Sequence, residues 1–131
     1  MKVLSPYTPD VLICEDDDHF SHMIDFILRR ESLRVVLAKD GQQAADYIND
    51  NPPTRLVILD VMMPFLDGFQ IARQLRNDPR WRNVPVIMLS AKSNEKDIVK
   101  AFDEGANDYI IKPFQPTEFI ARLKYQLRQS A

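Results

Sequence analysis

A single cysteine, Cys14, in 131 residues excludes a disulfide framework and a cysteine-built zinc site, and it suits a reducing compartment. No apolar run approaches the ~18 residues that would cross a membrane. No basic excess is present either: Lys+Arg 17 against Asp+Glu 19 leaves a formal charge of −2. A broad nucleic-acid footprint would need the opposite balance on one face. Histidine-rich or cysteine-rich spacing for a soft metal is missing as well. Met1–Pro9 carries one lysine and no long apolar stretch, so no secretory leader is expected. What the chain does have is an ordinary globular composition, 45% hydrophobic and 27% charged, enough for one core. Its one local oddity is four consecutive acids, Glu15, Asp16, Asp17 and Asp18.

Two kinds of segment alternate. Short apolar runs rich in β-branched residues at Val11–Cys14, Val35–Leu37, Leu56–Leu59, Val84–Leu89 and Tyr109–Ile111 read as buried strands. Between them, apolar residues recur at three- and four-residue steps: Phe20, Ile24, Ile27 and Leu28; Phe69, Ala72 and Leu75; Ile98, Ala101 and Phe102; Phe119, Leu123 and Leu127. Asp40 is expected to cap the helix through Ala44 and Ile48, and Asn94 or Ser93 the helix that stops at Gly105. Asp18 is expected to cap the helix opening at His19, with Asp17 as its competitor. His19 and His22 then read as surface or packing residues, and Cys14 as buried and inert. Five strands each followed by a helix predict an α/β fold, a three-layer sandwich on a doubly wound parallel sheet. The domain is expected over residues 10–129, with tails at 1–9 and 130–131.

In open α/β sheets, ligands bind beyond the carboxyl ends of the strands. Glu15 and Asp16 follow the first strand, Asp60 the third, Ser90 the fourth and Lys112 the fifth. A lone Asp at a strand end is usually a cap and a lone Lys a solvated charge. A cluster is different, because carboxylates ~5 Å apart repel by roughly 3 kcal/mol per pair at an effective dielectric of ~20. Such a group calls for a cation or a raised pKa. All-oxygen ligands select a hard ion, and Mg²⁺ suits one or two carboxylates with phosphate and water. An Asp60 flanked by Mg²⁺ and a lysine could attack phosphorus, and Ser90 could donate to the transferred group.

Four stretches, in order, then resemble the receiver domain of bacterial two-component response regulators: Leu12-Ile13-Cys14-Glu15-Asp16-Asp17; Asp60-Val61-Met62-Met63-Pro64-Phe65-Leu66-Asp67-Gly68; Leu89-Ser90-Ala91; and Gly105-Ala106-Asn107-Asp108-Tyr109-Ile110-Ile111-Lys112-Pro113-Phe114. The resemblance runs from about Asp10 to Arg128. It implies a flavodoxin-like (βα)5 sheet of order 2-1-3-4-5, and phosphoryl transfer from a sensor histidine kinase or phosphotransfer protein onto Asp60. By position it implies Mg²⁺ held by Glu15, Asp16, Asp60 and the backbone carbonyl of Met62. It also implies a phosphate-contacting Lys112, a switch hydroxyl at Ser90, a switch aromatic at Tyr109 and a cis Lys112–Pro113 bond.

The output face would be the fourth helix, fifth strand and fifth helix, presented to a downstream protein or domain, with no direct nucleic-acid contact by this domain. The implied setting is cytoplasmic, and the implied role is a signalling switch rather than an enzyme. Glu118, Asp108 and Arg122 match charges of the subfamily whose receivers dimerise through that face. Ile98 and Asn107 stand where that subfamily often has Arg and Asp, so phosphorylation-dependent homodimerisation stays an option and Glu118–Arg122 pairing along a helix an alternative. A Mg²⁺-dependent phosphohydrolase, a purely structural interaction module and a flavin carrier stay open beside the switch. The first lacks an acid at position 62, the second would not need the complete polar set, and the third would want a Ser-, Thr- or Gly-rich loop where the four acids stand.

Overall fold

Alternating apolar runs and amphipathic stretches fold into five βα units in the computed structural model, which describes residues 8–129. Residues 1–7 of the expected N-terminal tail, and the tail at 130–131, lie outside the described residues. The elements are β1 (Val11–Cys14), α1 (Asp18–Arg30), β2 (Val35–Ala38), α2 (Gly41–Asp50), β3 (Leu56–Asp60), α3 (Gly68–Asn77), β4 (Val86–Ser90), α4 (Glu95–Asp103), β5 (Asp108–Ile111) and α5 (Pro116–Gln129). The strands pair in parallel in the order β2-β1-β3-β4-β5, the flavodoxin-like arrangement. Asp60 and Ser90 are the last residues of their strands rather than the first beyond them. β4 begins two residues later than the apolar run, at Val86.

Strand residues alternate between two cores, because successive side chains point to opposite faces. Leu12, Cys14, Val57, Leu59, Val86 and Met88 pack with Ala44, Ile48, Ile71 and Leu75 of α2 and α3. Val11, Ile13, Leu56, Ile58, Ile87 and Leu89 face Ile24 and Leu28 of α1 and Phe119 and Leu123 of α5. Both faces are covered, so β1, β3 and β4 are buried throughout.

Caps set where the helices begin. Asp40 and Asn94 each accept from the amide three residues on, opening α2 and α4. Asp67 and Gln70 form a reciprocal capping box on α3. α1 is capped by Asp17, whose carboxylate accepts from the His19 and Phe20 amides, so the expected cap at Asp18 is corrected. The physical reason is reach: Asp17 has an extended backbone with φ −81° and ψ 113°, while Asp18 is already in the first helical turn.

Two glycines let loops approach the end of β3. A Cβ on Gly41 would lie 1.9 Å from the Leu66 carbonyl oxygen, and one on Gly68 would lie 2.4 Å from that of Asp60. Trp81 is fully buried, edge-on to Tyr47.

Candidate functional site

The chain order reverses direction between β1 and β3, and there the carboxyl ends of both strands open onto one crevice. Cys14, the last residue of β1, pairs with Leu59, so Glu15 and Asp60 emerge side by side. Glu15, Asp16 and Asp60 each offer a carboxylate oxygen, and the three lie within 4.8 Å of one another. Glu15 is 1% exposed and Asp60 5%, whereas Asp16 is open to solvent.

Lys112 enters from the end of β5. Its amide donates to the Ser90 carbonyl at 2.8 Å, and its ammonium pairs with Glu15 and lies 3.4 Å from Asp60 Oδ2. The Met62 amide donates to Asp60 Oδ1 at 3.2 Å, so the two oxygens of Asp60 are held from different sides. The Met62 side chain itself points to solvent. The Lys112–Pro113 peptide is cis.

The electrostatics follow from this crowding. Burial first, and then the Asp60 carboxylate, push the Glu15 carboxyl up to about 8, with Lys112 opposing. Desolvation, with Asp60 again adding to it, raises Asp16 against a hydrogen bond from its own amide. Burial works to lower the Lys112 ammonium, but its bond to Glu15 and the charges of Asp60 and Glu15 outweigh it, so its pKa is raised. Burial, reinforced by Glu15, holds the Cys14 thiol well above its usual range, which makes it inert.

The donor chemistry fits a hard divalent cation. All ligand candidates are carboxylate oxygens, and Glu15 Oε2 is buried with no hydrogen-bond partner. A buried orphan acceptor beside two further carboxylates is stabilised by a cation and costly without one.

Ser90 is fully buried at the end of β4, one residue past Leu89, which pairs with Asp60. Its hydroxyl accepts from the Lys92 amide at 3.0 Å. The phenol of Tyr109 donates to the Lys92 carbonyl at 2.8 Å, so both candidate switch residues hold the same loop residue. Tyr109 is 8% exposed and belongs to the core on the α2 and α3 side of the sheet.

On the face of α4, β5 and α5, Arg122 pairs with Asp108 at 2.9 Å and with Glu118 at 3.1 Å within the chain. His19 and His22 are exposed.

Sequence reasoning missed two residues. Arg76, at the end of α3, donates to the carbonyls of Gly105, Arg82 and Val84 and to Asn107 Oδ1, which also accepts from the Val86 amide. It ties the start of β4 to the start of β5. The only signal for it was a basic residue in a last helical turn. Phe20, assigned to the core by its spacing, has the Lys112 ammonium over its ring. No local pattern announces that contact.

Comparison with known proteins agrees with this geometry. The sequence model for the response regulator receiver domain matches residues 11–124. Response regulator GtcR of Aneurinibacillus migulanus is 42% identical over 120 residues, covering 92% of this chain and 48% of that protein. This chain thus spans about half the length of the curated relatives it matches. The receiver domain of the Francisella response regulator 1452 superposes with a TM-score of 0.85 at 31% identity, covering 95% of this chain and 100% of that one. The receiver domain of the Pseudomonas aeruginosa sensor histidine kinase PA1611 has a TM-score of 0.83 at 30% identity, covering 91% of this chain and 97% of that one. It was solved with a magnesium ion coordinated in its active-site cleft.

Proposed function

The chain belongs to the response regulator receiver domain family of two-component systems, and from that premise we propose that it is a phosphorylation switch whose phosphoacceptor is Asp60. The observation that carries this is the convergence of Asp60 with Glu15, Asp16 and Lys112 in one crevice. The donor is the phosphohistidine of a sensor histidine kinase or phosphotransfer protein. A carboxylate oxygen of Asp60 attacks phosphorus in line, the P–N bond breaks, and its electron pair leaves with the imidazole.

Glu15, Asp16, Asp60 and the Met62 carbonyl would hold Mg²⁺, which offsets charge on the transferred oxygens when bound. The chain's own groups do the rest. The Met62 amide orients one oxygen of Asp60. Lys112 supplies a fixed positive charge beside the other. The Ser90 hydroxyl, which accepts from Lys92, keeps one hydrogen to donate to a phosphoryl oxygen. That donation would reorient Ser90 relative to the Lys92 amide and so bias the loop that Tyr109 grips through its hydroxyl.

Tyr109 is buried with its hydroxyl on the Lys92 carbonyl, so a shift of this loop would be felt directly by the ring. The output is the face of α4, β5 and α5, read by a downstream protein or domain. Asp108 and Glu118 are engaged by Arg122 of the same chain, so dimerisation through these charges would require exchanging those pairs. Position 62 carries a thioether, which can neither donate nor accept a proton, so this position offers no acid or base for hydrolysis of the adduct.

Incubation with Mg²⁺ and acetyl phosphate tests the reading. A hydroxylamine-labile adduct of one phosphoryl group is expected on the wild-type chain and none on Asp60→Ala. Absence of an adduct with every donor would overturn it, and rapid turnover without a persisting adduct would point to a phosphohydrolase.

A further inference from the structure

Lys112 is the group whose position matters most to Asp60, and two carboxylates alone do not define it. Its ammonium pairs with Glu15 and lies 3.4 Å from Asp60 Oδ2, and both partners are acids on the same side of the crevice. A further contact is the face of Phe20, with Nζ 4.4 Å from the ring centroid. That lies within the distance at which an aromatic quadrupole attracts a cation. The Lys112 side chain is only 10% exposed, so water screens the attraction little.

The ring is itself fixed. The Phe20 amide donates to the Asp17 cap at 3.2 Å, which anchors the residue in the first turn of α1. Phe114, two residues past Lys112, lies against Phe20 with centroids 6.4 Å apart and stacks at 4.7 Å on Phe119, which is fully buried on α5. A short aromatic column thus runs from the core to the ammonium.

We propose that Phe20 is a positioning residue for Lys112: its π face holds the ammonium beside Asp60 without adding another acid to a crevice that already has three. An aliphatic side chain would fill the same space but exert no pull, and a further acid would worsen the repulsion. The proposal rests on the reading of Asp60 as phosphoacceptor only for its kinetic consequence. The contact itself can be tested apart from it.

The experiment places Phe20→Leu beside a series in which position 20 alone carries phenylalanine with one, two or three ring fluorines. Fluorination keeps the shape and progressively removes the negative face. Two quantities are read: the ring-current shift of the Lys112 ε-methylene protons by NMR, without Mg²⁺, and the rate of Asp60 phosphorylation by acetyl phosphate at saturating Mg²⁺. The wild-type ε-methylene is expected upfield of ordinary lysines and at the ordinary position in Phe20→Leu. The phosphorylation rate is expected to fall roughly threefold to thirtyfold in Phe20→Leu, and stepwise with each fluorine. A rate that drops in Phe20→Leu but stays flat across the fluorinated series reduces Phe20 to packing and overturns the proposal, as does an unshifted wild-type lysine. If the wild type accepts no phosphoryl group at all, the phosphoacceptor reading fails, and the ring-current comparison alone decides whether Phe20 holds Lys112.

Discussion

Glu15 carries the clearest consequence at the scale of single residues. Its buried carboxyl is raised from 4.5 to about 8, by loss of water first and by Asp60 second. A folded pKa above the unfolded one means that the protonated form is favoured in the folded state. Its contribution to stability is therefore fully present below about 4.5 and is lost as pH rises through about 8. Protein prepared without divalent cations should lose melting temperature over that window, and Glu15→Gln should flatten the loss. Mg²⁺ must displace the proton, so the rise in melting temperature that it produces should be larger near pH 8.5 than near pH 6. Thermal melts of both proteins at several pH values check this; an identical pH profile for Glu15→Gln would mean that Glu15 does not carry the effect. Phe65 is a second residue of note. It is 79% exposed at φ 73°, a left-handed conformation that few bulky residues adopt.

At the scale of elements, loops are brought to the site by close backbone approaches and caps. Gly41 opens α2 directly against the Leu66 carbonyl, and its amide donates to the Pro64 carbonyl at 3.1 Å. Gly41→Ala leaves no room for a Cβ and must push α2 away from the loop that follows Asp60. A loss of about 1–3 kcal/mol is expected, read by urea denaturation, together with slower phosphorylation by acetyl phosphate. Asp67→Ala breaks the capping box of α3 without steric conflict and should cost about 1 kcal/mol. Were Gly41→Ala no more destabilising than Asp67→Ala, the close approach at Leu66 would not be what holds the loop. Arg76 acts between elements as well. Burial lowers its pKa, yet its guanidinium donates to carbonyls from two loops.

At the scale of the whole molecule, net charge conceals how the charge is placed. A total of −2 is unremarkable, but three carboxyl groups, one of them with an orphan buried oxygen, meet at one end of the sheet. Magnesium binding to the folded state alone should stabilise it by about 1.4 kcal/mol at ten times Kd, a rise of roughly 5 °C for a domain of this size. Asp16→Ala should abolish most of that rise while leaving the metal-free protein as stable or more so, since it removes one repelling charge. Differential scanning fluorimetry against Mg²⁺ reads both, and an undiminished rise in Asp16→Ala would remove Asp16 from the ligand set. Among the described residues no helix is long and apolar enough to cross a membrane.

Much of the fold was legible because it depends on near neighbours. Alternation and three-to-four spacing place β1 to β5 and the apolar faces of the helices, and strand ends in a βα repeat locate Glu15, Asp16, Asp60, Ser90 and Lys112 on one edge. Strand order was not in the periodicity; it came from the motifs, and the sheet bears it out. What only the tertiary structure decided are contacts between distant parts of the chain. The Lys112–Glu15 pair joins residues 97 apart. The Tyr109 hydroxyl reaches the Lys92 carbonyl, Arg76 bridges to Gly105, and the face of Phe20 receives the Lys112 ammonium. Even the choice of Asp17 over Asp18 as a cap turned on backbone angles rather than on residue type. By itself the sequence determined which residues share a strand, a helix face or a sheet edge, since that follows from local geometry. Which of those residues touch was settled by packing, where burial sets the strength of each charge and hydrogen bond.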